Sequence, residues 1–89
     1  MTALEVVSIS TLDVALVTPR EVFKSAILSN SASIILAHSH PSGDTTPSKE
    51  DVELTERVKN AGDILGIELL DHIIVADRKH FSLRENGLM

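Results

Sequence analysis

Residues 33–51 read S-I-I-L-A-H-S-H-P-S-G-D-T-T-P-S-K-E-D, and the order of elements follows from where this stretch changes character. Ser33 to His38 is a nearly continuous apolar run, the pattern of a central strand covered on both faces. Ser39 to Lys49 is polar, and Pro41 and Pro47 with Gly43 between them suit a bent, stiffened loop. A loop of that length inside a small domain usually carries function. Ser48-Lys49-Glu50-Asp51 is a capping box. The helix it opens repeats Leu54, Val58, Ala61 and Leu65 as an amphipathic stripe, and Gly66 ends it where a left-handed residue is cheapest.

Upstream, Glu5 to Ile9 and Asp13 to Val17 are short and β-branched. They read as one irregular strand or two strand pieces with a break at Ser10-Thr11. Thr18-Pro19-Arg20-Glu21 is a second capping box with proline at the tolerant first helical position. Its helix runs to about Asn30 and presents Val22, Phe23, Ala26 and Ile27 as its apolar face. Downstream, Glu68 to Ala76 is a buried-looking strand, Asp77-Arg78-Lys79 a turn, and His80 to Arg84 the return strand of a hairpin. The order strand, helix, strand, helix, strand, strand predicts an α/β domain with a mixed sheet and flanking helices. The loop after the central strand is the natural place for a site.

The chain has 89 residues, room for one core, so residues 1–89 are read as a single domain. A 43% hydrophobic and 24% charged composition is that of a folding globular chain. Without cysteine there is neither a disulfide framework nor a thiolate zinc cluster, and a metal would have to be held by His, Asp or Glu. The net charge of -5 has the wrong sign for a phosphate-neutralising surface. Phe23 and Phe81 as the only aromatics leave no base-stacking platform, so nucleic acid is not an expected partner. No apolar run approaches membrane-spanning length and the N-terminus lacks a signal pattern, which makes the cytoplasm the expected location.

The chemistry concentrates at the end of the central strand. His38 and His40, at i and i+2, point to the same side and converge on one point. The first helical turn after the loop can bring the Asp51 carboxylate over that strand end. Two imidazoles and one carboxylate would leave a tetrahedral zinc one open position, the arrangement of a catalytic site. Each residue also has an ordinary explanation: an H-x-H pair alone is commonly exposed or hydrogen-bonded, and Asp51 and Ser48 are normal members of a cap. Asp44 reads as a turn former in preference to a metal or substrate contact, His72 as a residue supporting the ligands or hydrogen-bonded in the core in preference to a ligand, and His80 as exposed. Lys49, Glu50, Glu53, Glu56, Arg57 and Lys59 read as a solvated helix face.

Taken together, His38-Ser39-His40, seven residues, then Ser48-x-x-Asp51 match the H-[S/T]-H-x7-S-x-x-D signature, and the chain resembles the JAMM, or MPN+, metalloprotease superfamily. The segment I-L-A-H-S-H-P-S-G-D-T-T-P-S-K-E-D, followed by G-I-E-L-L-D-H-I-I-V and preceded by T-P-R-E-V-F-K, is similar to the RadC branch over nearly the whole chain. That branch usually has Asn between the histidines, where Ser39 follows the wider superfamily. The resemblance implies a JAB/MPN-like, cytidine-deaminase-like layer. It also implies zinc on His38, His40 and Asp51, with the Ser48 hydroxyl bonding the attacking water or the developing oxyanion. The superfamily's general-base glutamate precedes a strand expected upstream of Glu5, so the domain reads as N-terminally short; Glu5 is a poor substitute and Glu21 is occupied as a cap.

Three functions follow from the resemblance. One is a zinc-dependent hydrolase of peptide or isopeptide bonds, inactive as written for want of its base. The second is a non-catalytic MPN-like protein-interaction module. The third is the DNA-repair role in the branch's traditional label, which charge and aromatic content do not support. With the family's first strand absent, Glu5 to Ile9 would be an edge, and a homo-oligomer formed through it is expected.

Overall fold

The computed structural model describes residues 4–9 and 14–89. Four strands, β1 (Leu4–Ile9), β2 (Ser33–Ser39), β3 (Glu68–Ala76) and β4 (Lys79–Ser82), form one sheet in the order β1-β2-β3-β4. β1, β2 and β3 run parallel, and β4 returns antiparallel to β3. The crossovers are α1 (Pro19–Leu28) and α2 (Lys49–Leu65). Two successive crossovers stepping the same way across a sheet place their helices on one face when they share a hand. Here Val22, Phe23 and Ala26 of α1 and Leu54 and Val58 of α2 indeed join Ile34, Leu36 and Leu69 in a single core. The mixed α/β architecture is that expected from the sequence.

One-sided coverage explains the pattern in the strands. β2 is an inner strand as expected, but its residues alternate between buried and half-buried where cover on both faces was anticipated. The helix face takes Ile34, Leu36 and His38. The opposite face takes Ile35 and Ala37, which pair with Val6 and Ile73 respectively, and Val6 there is 59% exposed. A bulge opposite Ile34/Ile35 restores the phase of β3, so that Leu69 and His72 both face the helices.

Three local expectations are corrected. Val14–Leu16 is a 3-10 turn in place of a strand. Burying Val14 and Val17, three residues apart, suits a turn closed by the bond from the Val17 amide to the Val14 carbonyl. Asp13 and the expected break at Ser10-Thr11 lie outside the described residues. On the helices, Ile27 and Leu65 are 55% and 48% exposed, because the helix faces turned toward each other leave a groove of about 840 Å³ between them. Gly62 takes the place of Leu65 in the buried stripe. A Cβ there would overlap the Ile67 carbonyl oxygen and press on Phe23. The last strand ends at Ser82, short of Arg84, because residues 83–87 turn and the Arg84 amide bonds the Asp71 carboxylate.

Candidate metal centre

β2 ends beside the first turn of α2, and the cap of that helix builds the centre. The Ser48 hydroxyl accepts from the Asp51 amide at 3.0 Å, and Asp51 Oδ2 accepts from the Ser48 amide at 2.8 Å. This capping box swings the Asp51 carboxylate back over the strand end. There Oδ1 meets His38 Nδ1 at 2.9 Å and Oδ2 meets His40 Nε2 at 3.0 Å. The two imidazoles stand edge to face with centroids 4.9 Å apart. Asp51 and His38 are buried, and the His40 side chain is 15% exposed. His38, His40 and Asp51 are thus gathered around one carboxylate, as the spacing anticipates.

Burial alone would push the Asp51 carboxyl up. The bonds from the Ser48 amide and side chain and from His38 outweigh it and hold the group below the ordinary carboxylate value. Ser48 therefore holds Asp51 twice, through its backbone and its side chain. Asp44 is the turn former anticipated: its carboxylate accepts from the Thr46 amide and hydroxyl, which keep it ionised to lower pH. Its carbonyl does something no residue type announces, accepting from His40 Nδ1 at 2.8 Å. His80 is exposed as expected.

His40 is the informative ring. One nitrogen faces the Asp44 carbonyl and the other the Asp51 carboxylate, both of which only accept. The ring satisfies both only with a proton on each nitrogen or with a cation at Nε2. An imidazole pair and a carboxylate, without thiolates, are donors that zinc accepts. The residues present fit a divalent ion.

A further polar residue lies beneath. His72 on β3 is fully buried, and its Nδ1 is 2.7 Å from Thr55 Oγ1. Burial pushes its imidazole down to about 4, with Asp51 pulling the other way. One ligand-capable atom each from His38, Asp51 and His72 lie within 4.8 Å of one another. Sequence reasoning gave His72 a supporting role behind the ligands or a hydrogen bond in the core, and the structure puts it in the core beside His38 and Asp51. Thr55 it missed entirely; the one available signal is that Thr55 stands one helical turn after Asp51.

Glu5 and Glu21 are employed elsewhere. Glu5 accepts from the Ser25 and Ser29 hydroxyls and pairs with Ile34, whereas Ile9 pairs with His38. Four strand residues, about 13 Å, therefore separate Glu5 from the centre. Glu21 accepts from the Thr18 hydroxyl at 3.0 Å, a variant of the reciprocal cap anticipated. Among the described residues no glutamate is bonded to His38, His40 or Asp51.

Comparison with known proteins agrees with this architecture. The UPF0758 protein TTE0897 of Caldanaerobacter subterraneus subsp. tengcongensis is 56% identical over 85 residues, 96% of this chain and 36% of that protein. UPF0758 proteins of Methanosarcina acetivorans and Desulforamulus reducens are 53% and 55% identical over 96% and 98% of the chain. The chain spans 36 to 38% of the length of these relatives. The sequence pattern of the RadC-like JAB domain matches residues 1–88, and with the H-x-H strand end and the Asp51 cap in the places that resemblance requires, the chain belongs to the RadC-like JAB domain family.

Proposed function

We propose that this chain is the metal-holding domain of a JAMM-type zinc hydrolase acting on peptide or isopeptide bonds, with His38, His40 and Asp51 as ligands. The observation that carries the reading is the single buried carboxylate that engages both histidines of the H-x-H pair through its two oxygens. A zinc ion bound there would lower the pKa of a water toward about 7 and polarise a scissile carbonyl. The remaining work belongs to side chains. Asp44 fixes the His40 ring through its carbonyl. Ser48 fixes Asp51, and its hydroxyl at the helix N-terminus would be the donor for a developing oxyanion. A proton carrier to the leaving amine is not among the groups bonded at the centre, and the loss of a general base costs roughly 100 to 10,000-fold in rate.

The test is zinc content after mild dialysis, together with mass-spectrometric detection of cleavage in peptide and isopeptide-linked substrates. Zinc uptake with at most trace turnover is expected, and Glu5→Gln should leave any turnover unchanged. A well-folded protein that takes up no zinc refutes the reading. A second reading, a metal-holding module that serves protein contacts without catalysis, is favoured by the employment of Glu5 and Glu21 elsewhere. It would be chosen if a full-length relative also binds zinc without cleaving any substrate.

A further inference from the structure

The surface left uncovered between the two helices has a definite chemistry. Ile27, Leu28, Ile64 and Leu65 are 55, 78, 86 and 48% exposed, and all four line the groove of about 840 Å³ between α1 and α2. Single exposed aliphatic side chains are ordinary, but four around one groove mark a contact surface. Arg20 and Lys24 line it as well, one turn apart on α1. Residues 20, 24, 27 and 28 follow one another down a single stripe of the helix, the cations toward its N-terminus and the aliphatic pair toward its C-terminus. Among the described residues neither cation is ion-paired. Glu21, the one carboxylate of the lining, accepts from the Thr18 hydroxyl. The groove therefore carries a net positive charge in a chain whose net charge is -5.

Shape and charge together select the occupant. Pockets for small ligands enclose roughly 70–90% of the ligand surface, whereas an acyl chain lying here would stay half in water, because the lining side chains are themselves half exposed or more. A second copy related by a two-fold axis would offer the groove its own lining, cations at one end and aliphatic groups at the other, and neither end would meet its complement. A helix laid between two helices fits the form, and the α1 wall from Pro19 to Leu28 is about 14 Å long, the length of a two-and-a-half-turn segment. The two unpaired cations call for acids on that segment, and the positive end of the α1 dipole adds to the attraction.

We propose that the groove between α1 and α2 receives an amphipathic helix of a partner protein, with its apolar stripe against Ile27, Leu28, Ile64 and Leu65 and with Asp or Glu on its flank against Arg20 and Lys24. Apolar anchors supply the affinity, and the flanking charges fix which way the helix lies and exclude basic competitors. Ile64 stands about 20 Å along α2 from Asp51. The partner would thus be held at the end of the helices remote from the strand-end centre and would leave that centre open, and the proposal stands apart from the zinc reading.

The experiment is selection from a phage-displayed library of helical peptides of about 14 residues, with leucines fixed at i, i+3, i+4 and i+7 and the flanking positions randomised among Glu, Lys, Gln and Ser. Glu should be enriched over Lys along one flank. The selected peptide, made synthetically and labelled, is then titrated by fluorescence anisotropy with the wild type, Leu28→Ser, Ile64→Ser and the double variant Arg20→Gln/Lys24→Gln. The replaced side chains are exposed, so all variants should melt as the wild type does. Leu28→Ser and Ile64→Ser should each weaken binding at least about 5-fold, and the double variant should weaken it and flatten its decline with added salt. Enrichment of Lys over Glu, failure of the library to yield a binder, or losses below about 5-fold in both serine variants overturn the proposal. So does an oligomer in light scattering that Ile64→Ser dissociates, which gives the groove to a second copy, or saturable binding of palmitate that Ile64→Ser abolishes, which gives it to a lipid.

Discussion

Acidification of the metal-free protein should expose His72 as a liability. Folded, its imidazole titrates at about 4, against 6.5 in the unfolded chain. Between those values the unfolded chain binds a proton that the folded chain refuses, so stability falls as acid is added, and the loss levels off below the folded value. Integrating the difference from about pH 7.5 to about pH 5 gives a loss of about 2 kcal/mol, toward a ceiling of about 3 kcal/mol at lower pH. For a domain of this size that is a drop of roughly 8–16 °C in Tm. Urea or thermal unfolding followed by circular dichroism, with a chelator present, would measure it. His72→Leu is the control: His38 and His40 remain in both proteins, so the difference between the two pH profiles isolates His72. A wild type and variant with parallel profiles across this range would refute the argument, as would a wild type that gains stability on acidification.

Three further outcomes are expected. Zinc binding should be abolished by His38→Ala or Asp51→Ala, which titration calorimetry reads directly. Gly62→Ala should destabilise the fold by about 1–3 kcal/mol through overlap with the Ile67 carbonyl, and equilibrium urea unfolding would show it as a lowered midpoint. β1 is an outer strand among the described residues, and its own Val6 is exposed. Pairing of this strand between copies should give an oligomer at high micromolar concentration in light scattering, and Val6→Lys should dissociate it; a wild-type monomer would rule this out.

The parts of the molecule governed by local chemistry are legible in the sequence. The Ser48 cap announces α2 and with it the position of Asp51, and period-two geometry puts His38 and His40 on one side of the strand end. What sequence leaves hidden depends on through-space neighbours. Thr55 and His72 meet across 17 positions, and neither type at its place in a helix or strand signals the other. The Asp44 carbonyl that holds His40 exists on every residue. Ile27 and Leu65 fit the apolar periodicity of their helices, yet face a groove, because periodicity gives the direction of a stripe and not the shape of the surface it meets. Val14 to Val17 has strand propensity, and tertiary burial of residues three apart overrode it.

The position after Glu50 is served by an unusually short acid. In a capping box the third helical residue is ordinarily Glu or Gln, which reaches the N-cap amide through one more methylene. Aspartate keeps one oxygen on that amide while both oxygens remain within reach of the imidazoles. The first turn of α2 and the ligand cluster are therefore a single cooperative unit. Fraying of the helix end withdraws the carboxylate, and a cation gripping the carboxylate resists fraying. Amide hydrogen exchange at Asp51 and Val52 should consequently slow when metal is added, making the helix terminus a gauge of occupancy that needs no substrate.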